Sequence, residues 1–391
     1  MILYMRKLRN KSYEILTIFG PIIGLFLPDY IFVLISIPCA LLIMLNIKNY
    51  KTLLLYKYNW LLVVFMIYIT LIALINKNIL GLQTTVVVWL IVIWYMNLRL
   101  KMNNKIYEII LLIIPCLSMF SIYYTKVDYQ NTYSHLIVEQ FNQYFDLPVS
   151  GYGEGVRLAS TFFNSNYYGY VLCIIVLVCV YQLIISINSF KKMNIIKMVC
   201  VIIILYCNIK VFNLPQSRSA YGAIIAGIIC LIIMNMKLKY IPLIFGMCVL
   251  LKDKFKEILI SIPRIDTLFN SLIIRSDIQH IAINEIRAYP IWGRGFYSYL
   301  SLSNSSYVHS HNLFLECCIS FGVIGSCLLI SFLIFDLYPM IERWIKKDEQ
   351  RQTLIISLLI MTIVHGVNDV VILCPQTALL FCAIISGTVI E

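Results

Sequence analysis

The chain has 391 residues, 61% of them hydrophobic and 13% charged, with a mean hydropathy of +0.86. A soluble globular protein runs at about 45–50% apolar and about 25% charged, so the solvent for this much apolar sequence must be a bilayer. Disorder, a disulfide scaffold and a basic nucleic-acid-binding protein are excluded at the same step, and the net charge of +12 reads first as cytoplasmic loops rich in Lys and Arg.

A basic N-terminus (Arg6, Lys7, Arg9, Lys11) precedes an apolar run that ends at Leu27. It resembles a signal peptide, but no small-x-small cleavage site follows, so it is read as the first span. Further on, apolar runs give about twelve spans in all. They lie near 13–27, 30–47, 60–75, 79–98, 106–124, 163–187, 195–212, 219–236, 240–251, 312–335, 353–372 and 375–390, the first and ninth being short. Hydrocarbon offers no partner for a backbone N–H or C=O, so each run must be a helix. The expected fold is an all-α polytopic membrane protein, one integral membrane domain over residues 1–391. The 13 cysteines fall almost wholly inside these runs (Cys39, Cys173, Cys230 and Cys382 among them) and read as small hydrophobes.

Alternating spans leave one choice of orientation. With the N-terminus inside, the inner segments hold 19 of the 31 basic residues and 7 of the 19 acidic ones, and the outer segments hold 12 of each. The whole positive excess is then inner, which sets both termini in the cytoplasm. Most outer connections are short. Two are long, 125–162 and 252–311, and long ordered loops are usually functional. All five histidines fall in outer loops or at the outer end of a span. Within the second loop, Ile274, Ile278, Ile281, Ala282 and Ile286 recur at helical spacing, so an amphipathic helix is expected before the tenth span.

The stretch SYVHSHNLFLECCISFGVIG, residues 306–325, places His309 and His311 just before a long apolar helix. Asn312 or Ser310 can cap that helix, and Gly322 and Gly325 have the spacing for close helix contact. A His-x-His pair can bind metal, but no third ligand follows at suitable spacing, and no outer D-x-D pair occurs, so no metal is expected. Asp369 and Asn368, beside His365, lie at the outer end of the eleventh span, where they either serve the function or cap and bridge helices.

The run His311-Asn312, nine residues, then Gly322-Val323-Ile324-Gly325 resembles a pattern of the O-antigen ligase and O-antigen polymerase superfamily. Three further stretches resemble the same family in order. They are RLASTFFNSNYY (157–168), with Ser165 where the family has proline, Ser217-Arg218-Ser219 at a helix start, and IRSDIQHIAINEIRAYPIWGRG (274–295), with Gln279 for the usual tryptophan. The resemblance implies a metal-independent glycosyltransferase without cofactor, acting on the outer face of the bacterial inner membrane. Its donor would be an oligosaccharide on undecaprenyl pyrophosphate, with a flippase and a chain-length regulator as partners and no nucleic acid.

Such chemistry needs fixed cations for the leaving pyrophosphate, for which the planar fork of arginine is suited, and a base that titrates near neutral pH. Arg218 begins an apolar helix at interface depth, where the helix N-terminus also favours phosphate. Arg275 lies at the edge of the amphipathic stripe. Arg287, twelve residues on, is turned about 120° away and stands behind it, as does Arg294. Arg157 could hold pyrophosphate or sugar, or pair with Glu154. His311 is the base that the family motif implies, and His309 either orients it or is a polar loop residue. The expected function is polymerisation of lipid-linked repeat units into O-antigen or capsule-type polysaccharide. Transfer to lipid A core, the ligase reaction of lipopolysaccharide assembly, is the alternative. A flippase or transporter is more remote, because no internal repeat is visible.

Overall fold

The computed structural model describes residues 2–46, 50–128, 158–162, 164–188, 195–235, 268–301, 309–345 and 350–390. The described residues are helical, without a strand. In chain order the helices are α1 (Ile2–Gly24), α2 (Asp29–Asn46), α3 (Tyr50–Leu55), α4 (Asn59–Ile75), α5 (Ile79–Lys101), α6 (Asn104–Asp128), α7 (Ser165–Asn188), α8 (Ile195–Val211), α9 (Arg218–Asn235), α10 (Leu268–Ala288), α11 (Leu313–Ile345), α12 (Arg351–Gly366) and α13 (Pro375–Ile385). Six stretches, within α3–α4 and in α5, α6, α7, α9 and α11, are long and apolar enough to cross a membrane, and four more apolar helices are shorter. The chain is an all-α polytopic membrane protein. The expected ninth span, 240–251, and most of the first long loop lie outside the described residues.

Composition explains the packing. α7 is nearly all apolar and is the innermost helix, with Tyr168 and the run Tyr170–Cys179 buried. α9 lies against both α7 and α12, its closest neighbour, because Gly227 gives room for Met361 of α12. Apolar side chains on the outer faces, such as Leu34, Ile67, Ile203 and Ile330, stay exposed, as lipid-facing residues do. The cysteines are less uniformly buried than expected. Cys39, Cys173, Cys179 and Cys374 are buried, but Cys116, Cys200 and Cys327 sit on exposed helix faces. Polar side chains inside the bundle find partners across helices: Tyr170 meets Thr362 at 2.6 Å, and Asn208 donates to Ser118 at 3.0 Å.

The expected eleventh span, 353–372, ends earlier than its apolar pattern. α12 stops at Gly366, and a turn with a short 3₁₀ segment, Val371–Leu373, leads to α13. α10 begins back at the end of the bundle where α9 began, since Arg218 donates to Ser271 at 2.6 Å. The N-termini of α7, α9, α10 and α11 therefore converge with the C-terminus of α12.

Gly322 departs from the expected helix contact. It breaks α11 with φ +60 and ψ −170, which strains any residue with a β-carbon. The break frees carbonyls at Ile319 and Ser320, which accept from the N–H groups of Arg294 at 2.9 Å and Gly295 at 2.8 Å. In return Val323 N–H donates to Pro290 O at 2.9 Å. A β-carbon on Gly322 would strike the Ile291 carbonyl. Gly325 does serve helix contact, against Tyr68 of α4.

Candidate functional site

The site is built around Asp369, in the turn between α12 and α13. Its carboxylate is 1% exposed, with Oδ1 3.7 Å from both His309 Nε2 and His311 Nδ1. Asn166, at the start of α7, donates to Oδ2, and the N–H of Val370 donates to Oδ1 at 2.8 Å. Burial alone would push the Asp369 carboxyl up. His311, with His309 and His365 around it, outweighs that and holds the acid well below the usual carboxylate range. Burial, aided by His311 and Arg275 and opposed by Asp369, pushes His309 down to about 4, so it is neutral at pH 7.

Local chain geometry fixes the two histidines. Asn312 caps α11, its Oδ1 accepting from Phe314 N at 3.0 Å and Leu315 N at 3.1 Å, and its amide reaches Val367 O at 3.2 Å. Glu316, one turn into α11, accepts from Ser310 N at 2.8 Å. Between these anchors His311 takes φ +52, a left-handed conformation costing a residue with a β-carbon about 1–2 kcal/mol. Its N–H donates to His309 Nδ1 at 3.2 Å, and the two rings meet edge to face with centroids 4.3 Å apart.

Arginines line the same end. Arg275 is half-buried on α10 and lies 3.5 Å from Asn368 Oδ1. Ser271, the partner of Arg218, is one turn earlier on α10, so α10 brings the two arginines onto adjacent turns. Ser219, beside Arg218, is 3.4 Å from Nε2 of the fully buried His365, against whose ring Tyr170 packs edge-on. Arg287 is exposed and turned away, and Arg294 is held by Glu285 at 2.5 Å and lies over the Tyr289 ring. Arg157 lies outside the described residues.

Thus the structure gathers His309, His311, Arg218 and Arg275, and leaves Arg287 apart. It adds Asn166 and His365, for which sequence gave little signal. Asn166 is the second asparagine of the N-S-N in the 157–168 stretch, and His365 stands four residues before Asp369 on the last turn of α12.

His309, His311 and Asp369 each place one ligand atom within 4.8 Å of the others, a grouping that could hold a metal ion. Asp369 thus supplies the third ligand that sequence spacing did not show, while the hydrogen bonding places a proton on one of the nitrogens a metal would use. His309 Nδ1 accepts from His311 N, so its proton sits on Nε2, the nitrogen that faces Asp369. A metal on Nε2 would need the reverse tautomer, with two N–H groups opposed at Nδ1.

This arrangement of histidines and arginines invites comparison with known families. Residues 203–330 match the O-antigen ligase family. Over that stretch the resemblance to the O-antigen polymerase and ligase superfamily is shown. The match holds Arg218, Arg275, His309, His311 and the Gly322 break, whereas Asn166, His365 and Asp369 lie outside it. It supports an O-antigen ligase- or polymerase-type function, acting on lipid-linked glycans, and does not separate the two. No curated protein matches the chain.

Proposed function

We propose that this protein is a metal-independent glycosyltransferase that joins lipid-linked oligosaccharide repeats into O-antigen or capsule-type polysaccharide on the outer face of the bacterial inner membrane. The observation that carries the reading is the meeting of His311 and Asp369 with Arg275 and Arg218 at one end of the bundle. A proton on His311 Nδ1, facing the Asp369 carboxylate, leaves the Nε2 lone pair as the base. Nε2 takes the proton of an acceptor sugar hydroxyl as its oxygen bonds to the donor's anomeric carbon. The bond from that carbon to undecaprenyl pyrophosphate breaks, and the pyrophosphate leaves with the electron pair. Arg275 and Arg218 take up its charge as bidentate donors.

The lipid-linked donor needs the site at the outer membrane surface, and the inner positive excess agrees with that orientation. Cysteine labelling at Ser303 and Glu349 tests it: Ser303 should react from outside and Glu349 from the cytoplasm, and labelling of both from the cytoplasm sinks the topology. The activity test is the lipid-linked glycan ladder in a strain lacking the gene. Single repeats without a ladder, restored by this chain, support polymerisation. The family's own description favours a second reading, transfer to lipid A core. A normal ladder left on the carrier, with none on lipid A core, would establish that ligase reading instead.

A further inference from the structure

Immediately after α10, the chain leaves helical geometry and dips toward the middle of the bundle. Tyr68 Oη donates to Trp292 O at 2.7 Å, and Tyr68 lies seven residues before the Ile75 end of α4, about 10 Å below it. The Asn78 side chain, in the turn between α4 and α5, donates to Phe296 O at 2.8 Å. Between Trp292 and Phe296 the backbone therefore climbs from the depth of Tyr68 to the level of that turn. Non-helical backbone at such a depth must have its polar groups paired within the protein. Here the pairing is supplied by the broken α11. Pro290 O and Ile291 O accept from Val323 N and Ile324 N, and Arg294 N and Gly295 N donate to Ile319 O and Ser320 O.

The side chains at the bottom of the dip are apolar and exposed. Ile291 is 52% and Trp292 58% exposed, and Trp292 stacks on Tyr68 with ring centroids 6.4 Å apart. The surface continues onto Ile67 of α4 and Val323 of α11, both exposed faces of spanning helices. Its rim carries Tyr289 and the Arg294–Glu285 pair, the aromatic-and-charged edge that suits a membrane interface.

We propose that the 290–295 dip is a lipid-inserted wedge whose Ile291 and Trp292 side chains sit among the upper acyl chains of the bilayer. The wedge pins the C-terminal end of α10 at a fixed depth. The surface suits acyl chains because the carbonyls of Pro290, Ile291 and Trp292 and the N–H groups of Arg294 and Gly295 are paired within the protein, while Ile291 and Trp292 present apolar side chains outward. This inference stands on the fold and the spans alone and does not depend on the glycosyl-transfer reading.

The test is tryptophan fluorescence of the full chain in nanodiscs of ordinary or dibrominated phosphatidylcholine. The Trp292 signal is the difference between wild type and Trp292→Phe, a change that keeps an aromatic ring against Tyr68. A blue-shifted difference spectrum is expected, quenched at least two-fold by bromines near the top of the acyl chain and little by aqueous iodide. An iodide-quenched, red-shifted spectrum insensitive to brominated lipid overturns the proposal. Should Trp292→Phe fold poorly, Trp60→Phe removes the second exposed tryptophan among the described residues, which sits at the opposite end of α4. Strong bromine quenching must then persist in what remains, and its disappearance overturns the proposal equally.

Discussion

Two buried aspartates mark opposite ends of the bundle and are neutralised in different ways. Asp336 of α11 is paired with Arg99 of α5 at 2.6 Å, both side chains being 3% exposed or less, and Thr388 donates to its other oxygen at 2.9 Å. Arg99 also donates to Lys57 O at 2.7 Å and packs on the Tyr95 and Phe332 rings. Asp369 has no cation in such contact among the described residues. It faces two imidazoles at 3.7 Å, and the His311 side chain is 25% exposed. This ion pair at hydrogen-bond distance, with both carboxylate oxygens engaged, ties together distant parts of the chain in a site closed to solvent. A carboxylate held near, but not locked onto, a partly exposed imidazole orients that ring while the ring still reaches a substrate. Burial of an acid thus says nothing of its role until its partners are known.

The comparison can be broken most severely at His311. His311→Ala should lower glycosyl transfer by about 10²–10⁴ while the protein inserts at the normal level. His309→Ala should leave a visible, shorter ladder. A ladder lost with His309→Ala and kept with His311→Ala would move the base to His309. Next, Asp336→Asn should cost about 3–5 kcal/mol of stability, since it strands a buried guanidinium. Thermal unfolding in detergent reads this, and activity per folded molecule should be unchanged. Asp369→Asn should show the opposite balance, with activity falling far more than the melting temperature. Arg218→Lys and Arg275→Lys should each lose about 10² in rate, as lysine keeps the charge without the bidentate fork. Near-normal polymer from either variant removes that arginine from the pyrophosphate. The smallest expected effect is that of a chelator on purified protein with lipid-linked donor, namely none. Loss of activity rescued by a divalent ion would show that the histidines around Asp369 hold a metal after all.

Local physics was legible in the chain. Hydrocarbon forces every apolar run to satisfy its backbone internally, so α1, α2, α4 to α9 and α11 to α13 follow from composition, whereas α3 falls in a stretch expected to be an inner loop. The amphipathic spacing gave α10, although of its apolar stripe Ile278 and Ala282 are buried and Ile274 and Ile281 are exposed; Arg275 is half-buried and Arg287 exposed. The histidine motif and the Ser217-Arg218-Ser219 start are picked out by their resemblance to the family's patterns, each of which lies within one short segment.

What the sequence by itself determined is therefore most of the described helices, the polar ends that carry the candidate chemistry, and the residues within each segment that share a face. These depend on interactions a few residues apart. Only the tertiary structure decided that Asp369 stands between His309 and His311, that Asn166 holds its other oxygen, and that Arg99 finds Asp336 across the bundle. It also turned Gly322 from a helix-contact glycine into the break that receives the 290–295 segment. Those meetings depend on how helices distant in sequence pack and end, and side-chain periodicity within one helix carries no record of which neighbour it will face.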